Sequence, residues 1–162
     1  MSNADQLELV VEMLYALALG SAVGLEREFR GHEAGIRTLG LVCLGAALFG
    51  ETSAFYGDSR VAAGVVQGIG FLGAGLIIVR GGTIVGATTA VTVWAMAGIG
   101  LLASEAWLTA LLLTGIIIVA LEVSFLSDWA RTHGRPNTEA QRLRQLAEER
   151  SARDTREDGG EG

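Results

Sequence analysis

The groups in this chain that could do chemistry are carboxylates, hydroxyls, one amide and a set of guanidinium groups. Glu8, Glu12, Glu26, Glu28 and Glu51 are the carboxylates closest to its long apolar runs. Hard divalent cations take oxygen ligands, typically one or two carboxylates completed by water. All five acids fall near the ends of apolar runs, whereas ion pathways usually carry acids within them. Glu8 and Glu12 are four apart, on one helical face near one end, where interfacial water is in reach. That placement reads as a membrane-surface mark in preference to an ion-binding pair. Gln67, Thr88 and Thr89 are the polar residues expected to face the interior of a helical bundle, with Thr92 beside them on a polar path; packing alone is the plain alternative. Glu26, Arg27, Arg30 and Arg37 lie in the charged stretch GLEREFRGHEAGIRT. Glu26 and Arg30 have the i,i+4 spacing of a helical ion pair, and arginine suits bidentate pairing. These four are expected to form a charge cluster that latches helix ends together, the alternative being a solvated, self-neutralised loop.

Other chemistry is excluded. There is no HExxH, no G-x-S-x-G and no Ser–Lys pair, so the chain is not expected to be an enzyme. Cys43 is the single cysteine, and His32 and His133 are far apart. No intramolecular disulfide can form, no Cys-rich metal site is available, and no cofactor is expected. Cys43 reads as a small packing residue. The segment Gly68-Ile-Gly-Phe-Leu-Gly73 matches the dinucleotide fingerprint, but that motif needs a preceding strand and an acid about 20 residues on. Residues 85–95 contain neither Asp nor Glu. No nucleic-acid partner is expected.

The elements that position these groups are apolar spans. Half of the 162 residues are hydrophobic, mean hydropathy is +0.42 and 23 residues are glycine. The expected fold is all-α: a polytopic membrane bundle of about five transmembrane helices over residues 1–126, with a short polar tail at 127–162. The spans are expected at residues 7–25, 36–56, 61–79, 84–103 and 107–126. Residues 61–79 carry no charge and five glycines. At about 1.5 Å per residue that run crosses a hydrocarbon core of about 30 Å. Arg80-Gly81-Gly82-Thr83 is read as the turn of a helical hairpin. Asp58 or Ser59 is a candidate N-cap for the third helix.

The glycines are placed for packing. Gly64, Gly68 and Gly75 fall within about 40° of one another on a helix, and Gly70 and Gly73 fall opposite. Small residues on both faces let two neighbours approach at once, so the third helix is expected at the centre of the bundle. Gly86, Ala90, Val93, Ala97 and Gly100 form a small-residue stripe on the fourth. Gly20 and Gly24 supply a small-xxx-small contact on the first.

There are twelve arginines and no lysine. With the N-terminus outside, eleven of the twelve fall on the inner side and only Arg60 outside. The positive-inside rule therefore predicts N-terminus out and tail in the cytoplasm. No Lys or Arg precedes the first apolar run, so no signal peptide is expected. Trp107 and Trp129 bracket the fifth span as interfacial anchors. In the tail, Gly134-Arg-Pro136 reads as a linker, residues 138–150 as a short helix begun by a Thr138/Gln141 capping box, and the stretch after 151 as disordered.

Four ordered blocks, GLEREFRGHEAGIRT, LVCLGAALF, GIGFLGAGLI and GATTAVTVW, resemble the MgtC/SapB family over roughly residues 10–125. The resemblance implies a five-span protein of the bacterial inner membrane, associated with magnesium-limited growth and, in pathogens, with survival in macrophages. The family is often described as magnesium transporters, yet it also includes proteins that act by binding other membrane machinery, ATP synthase among them. Its best-known representative has a folded C-terminal cytoplasmic domain. The tail after Ser127 is too short and polar for that domain, so a short, membrane-core form is expected. The expected function is regulation within the bilayer, through other inner-membrane proteins and a second copy of the chain. Transport of magnesium or another divalent cation is the alternative.

Overall fold

The computed structural model describes residues 2–134 and Leu146, with side chains through Val123 and at Leu146. Five helices and one small hairpin follow in order: α1 (Asn3–Phe29), α2 (Ile36–Tyr56), α3 (Ser59–Leu76), β1 (Ile78–Arg80), β2 (Thr83–Val85), α4 (Ala87–Leu102) and α5 (Trp107–Gly134). Three of them, α1, α2 and α3, are long and apolar enough to cross a membrane. The chain divides into a compact unit ending at Ala120 and a second unit from Leu121 on, in which α5 continues to Gly134.

Local signals set most boundaries. Ser2 caps α1: its hydroxyl accepts from the Asp5 amide at 3.2 Å, and its own amide donates to the Asp5 carboxylate at 2.7 Å. This reciprocal pair satisfies two otherwise orphaned donors. The helix therefore begins earlier than the expected span and runs on to Phe29, so Glu26, Arg27 and Glu28 belong to its last turns and not to a surface loop. Gly31, at φ +73°, then turns the chain. Helix α2 has the expected bounds. Asp58 caps α3, accepting from the Arg60 amide at 3.0 Å. The fifth helix starts at Trp107 as expected but continues beyond residue 126. The expected tail helix and disordered end lie outside the described residues, except Leu146, which is helical and exposed.

Two expectations are corrected. The third helix stops at Leu76, short of residue 79, and the fourth starts at Ala87, later than residue 84. Between them an antiparallel hairpin pairs Ile78 with Val85, Val79 with Ile84 and Arg80 with Thr83. The β-branched residues at Ile77–Val79 and Thr83–Val85 favour extended backbone. Gly81 and Gly82 both take positive φ, +57° and +81°, as a two-residue hairpin turn that follows strand twist requires. The turn is where it was read, but it joins strands and not helices. Helix α4 is left with 16 residues, about 24 Å long.

The second correction concerns the centre of the bundle. The middle helix is α2, packed against α1, α4 and α3. Its buried face is Leu39, Gly40, Cys43, Ala46 and Ala47. Helix α1 reaches that face through Gly20 and Gly24. A Cβ at Gly20 would collide with the Leu39 carbonyl oxygen and lie 2.9 Å from Gly40 Cα; one at Gly24 would lie 2.6 Å from Ile36 Cα. Helix α4 arrives from another side through Gly100, where a Cβ would collide with the Cys43 carbonyl oxygen. Of its expected stripe, Ala90, Val93, Ala97 and Gly100 are buried, while Gly86 is the N-cap of α4, at φ +86°. Helix α3 is peripheral: Gly73 is its only buried residue, packed on Ala90. A Cβ built at Gly64, Gly68, Gly70 or Gly75 meets nothing within 4 Å. Close approach to a central helix is achieved by glycines on its neighbours, whereas α3 turns half-buried Val61, Val65 and Ile69 toward α2, where they line an apolar cavity of about 530 Å³ with Leu41, Gly45 and Phe49.

This division makes a prediction. Gly20→Leu and Gly100→Leu each force backbone apart and should lower stability by about 2 kcal/mol or more. Gly64→Leu should not lower it, because its site is open and leucine favours helix over glycine. Thermal unfolding in detergent, followed by circular dichroism, distinguishes the two groups; equal losses at all three positions would contradict the packing described.

A buried guanidinium between α1 and α4

The buried face of α1 is Ala16, Leu19, Gly20, Val23, Gly24 and Arg27. The last of these continues an apolar stripe with a charge. Arg27 is 1% exposed, and its Nη2 donates to the Thr89 hydroxyl at 2.5 Å. Gly24 brings the end of α1 against the start of α2, which turns the Arg27 side of the helix inward. Thr89 sits in the first turn of α4 and is itself buried. The guanidinium therefore lies beside the positive end of the α4 dipole. Among the described residues, its Nε has no hydrogen-bond partner, and neither does Oε2 of Glu26.

The two polar sets read from the sequence are re-sorted by this geometry. From the charge cluster, Arg27 points inward. Glu26 and Arg30 form the i,i+4 ion pair at 3.7 Å, as their spacing predicts. Arg37 is exposed and lines a surface cavity of about 500 Å³ with Glu28, His32 and Glu33. From the polar path, Thr89 alone meets Arg27. Thr88 is exposed. Thr92 is buried, but its hydroxyl donates to the Thr88 carbonyl at 2.8 Å, which ties it to its own helix. Gln67 is exposed on α3, outside the core. The expectation that Gln67 and Thr88 face the interior fails because α3 is peripheral and because the buried face of α4 begins at Thr89.

Some roles went unread in the sequence. Glu28 accepts from the Ile36 amide at 3.1 Å and so caps α2 from eight residues upstream. Gly35, at the N-cap, has no side chain to do this, and that gap was a signal. Tyr15 donates its hydroxyl to the Trp107 carbonyl at 2.7 Å, holding the start of α5 against α1. Ser53 donates to the Asp58 carbonyl at 2.8 Å and braces the turn between α2 and α3. Cys43 is fully buried at the point where Gly20 and Gly100 converge, in the packing role expected of it. Glu8 is exposed and Glu12 and Glu51 are half-buried. Among the described residues, no three His, Cys, Asp or Glu side chains are grouped to hold a metal ion. Trp107 is 63% exposed, as an interfacial anchor would be, and the Trp129 side chain lies outside those described.

Comparison with known proteins gives the chain named relatives. "Protein MgtC" of Salmonella typhimurium strain LT2 is 40% identical over 117 residues, covering 70% of this chain and 51% of that protein. "Protein MgtC" of Brucella abortus is 43% identical over 110 residues, covering 65% and 46%. YhiD of Escherichia coli K12, named for a proposed magnesium-transporter role, is 42% identical over 106 residues, covering 58% and 49%. The chain thus spans about half the length of the curated relatives it matches. No solved structure matches it. The profile of the MgtC family matches residues 13–127, most of the chain and all of the helical core described above, and the protein belongs to that family.

Proposed function

We propose that this protein is a bacterial inner-membrane regulator, linked to magnesium homeostasis, that works by binding other membrane proteins through the outward side of α3. One observation carries the reading. Among the described residues, a Cβ built at Gly64, Gly68 or Gly75, which share one face of α3, meets nothing within 4 Å. Between helices in lipid, association rests on close packing and not on the hydrophobic effect, and glycine is what allows backbones to approach. An unfilled glycine face on a membrane-length helix is therefore suited to a partner helix. The name of YhiD supports the magnesium link.

The interior supports a regulator over a divalent cation transporter, the second reading, which the name of YhiD favours. The polar site inside the bundle holds a permanently charged guanidinium beside a helix N-terminus. Both repel a cation. Orientation with the N-terminus outside and the C-terminal side cytoplasmic is part of the proposal. The Arg27–Thr89 bond puts the last turn of α1 and the first turn of α4 at one end of the bundle. Arg30, Arg37 and Arg80 lie in or next to the connections at that end, in keeping with the positive-inside rule.

Three outcomes test this reading. In liposomes containing the purified protein, magnesium influx should stay at the level of protein-free vesicles; saturable influx would establish transport instead. In growth complementation at low magnesium, Gly68→Leu should impair function more than Leu112→Ala while leaving the folded fraction unchanged, since neither site is packed. Equal complementation by both would remove α3 from the account. At the buried site, Thr89→Val leaves a buried charge without its hydrogen bond and should cost about 1.5–3 kcal/mol. Arg27→Met, apolar and similar in length, should stay within about 1 kcal/mol of wild type, because the Thr89 hydroxyl can turn to its own helix. Unfolding in detergent reads this asymmetry, and the reverse order would mean the guanidinium is a net stabiliser.

A further inference from the structure

The β1–β2 hairpin belongs to no site described so far. All six of its strand residues are exposed. Paired residues of an antiparallel ladder point to the same face, so Ile78 and Val85 share one face and Val79 and Ile84 share the other. Their exposures are 47%, 51%, 69% and 63%, which makes both faces apolar and bare. A lone two-stranded hairpin is marginal in water, and open aliphatic side chains add to its cost there. Arg80 closes the ladder beside the Gly81-Gly82 tip. It is exposed, and among the described residues no carboxylate pairs with it.

Helix length sets the depth of this hairpin. At about 24 Å, α4 falls about 6 Å short of a hydrocarbon core of about 30 Å. Val85 and Ile84, separated from α4 by Gly86 alone, supply that length at about 3.3 Å each. Hydrogen bonding sets the same depth. The two-residue turn closes on the hydrogen-bonded pair Arg80–Thr83. In the alternation of an antiparallel ladder, Val79 and Ile84 then have their amides and carbonyls pointing outward. Open strand edges do not occur in hydrocarbon, so these groups need water. The interfacial layer, about 5–7 Å deep on each side of the core, supplies it. Ile78 and Val85 then lie at the hydrocarbon boundary, and Arg80 with the tip glycines lies at the level of the lipid phosphates.

We propose that the hairpin is a lipid-binding element: it stands upright in the interfacial layer at the Arg27–Thr89 end of the bundle, with lipid against both faces and Arg80 on the phosphate of an anionic phospholipid. Apolar residues on both faces require an apolar medium all round, whereas a protein docked on one face would leave the other in water. The strands are also continuous with α3, a membrane-length helix, and with α4, so lipid already surrounds the elements they extend. The unpaired guanidinium supplies the charge complementarity, since its fork matches the oxygens of a phosphate. Held in this way, the hairpin fixes the depth of Gly86 and so of the first turn of α4, where Thr89 meets Arg27. The inference does not depend on α3 as an interface.

The test uses the purified full chain carrying Val79→Cys or Val85→Cys, one on each face, labelled with a fluorophore and reconstituted in phosphatidylcholine–phosphatidylglycerol liposomes. Cys43 is buried, and the unsubstituted chain is the labelling blank. His32→Cys, in the exposed turn between α1 and α2, is the water-facing reference. Nitroxide-labelled lipid should quench both hairpin positions strongly and aqueous iodide weakly, with the reverse at the reference. Residue 85 shares the face of Arg80. There the local ratio of phosphatidylglycerol to phosphatidylcholine, read by placing the nitroxide on one lipid or the other, should exceed the bulk ratio by about 5-fold, the size of one arginine at an anionic surface. Arg80→Gln should return it to the bulk ratio without moving either label. Helical content by circular dichroism should be the same in every variant, because all the substituted side chains are exposed. Iodide access at either face overturns the proposal, as does protection from both quenchers, which would mean that protein covers the hairpin. A local ratio equal to the bulk one, or one that Arg80→Gln does not lower, overturns the anionic contact.

Discussion

Everything in this fold depends on three helices touching backbone to backbone along α2. Gly20 and Gly24 on one side and Gly100 on the other leave no room for even a methyl group. In a membrane this constraint replaces the hydrophobic effect. Lipid tails are as apolar as leucine, so burying a large side chain gains little, whereas removing side chains gains dispersion contacts between backbones. The consequence is a core built from Ala16, Ala46, Ala47, Ala90 and Ala97, with Leu39, Met96 and Ile99 filling the remaining space. Large apolar residues such as Phe49, Phe71 and Leu112 are left on the outside, where lipid is their solvent.

The tight core also explains how a charge comes to be buried. Once Gly24 has brought the end of α1 against the start of α2, residue 27 faces the same interior as Val23. A charge there has to be satisfied from within the bundle, and Thr89 in the first turn of α4 supplies one acceptor. The arrangement ties the two ends together but, among the described residues, leaves Nε and a Glu26 oxygen unpaired. A buried charge of this kind is seldom kept for stability, since apolar replacements of similar volume often do as well.

Helix α3 stands apart from this logic. It has more glycines than any other helix and the fewest buried residues. It enters from a capped turn at Asp58 and leaves into a glycine hairpin, and Gly73 is its only buried residue. The difference between α1 and α3 is the difference between glycines already filled and glycines still open. Both carry the same spacing, and only three-dimensional packing distinguishes them.

Much was legible in the linear chain because it depends on local chemistry and on the choice of solvent. The all-helical class, the bounds of α2, the start of α5, the Asp58 cap, the Glu26–Arg30 pair and the stripe on α4 follow from apolar run length, capping residues and 3.6-residue periodicity. The hairpin is legible too, in β-branched residues flanking Gly81 and Gly82, but the apolar character of the same segment equally suits a helix. What the chain could not specify by itself was which helix lies in the middle. Small residues permit close approach without saying from which neighbour it comes, so glycine content alone points to α3 as the centre and to Gln67 and Thr88 as its lining. That choice, and with it the pairing of Arg27 with Thr89 across 62 residues, belongs to the tertiary structure. Periodicity reports only which residues share a face of one helix, whereas burial depends on which other helix meets that face.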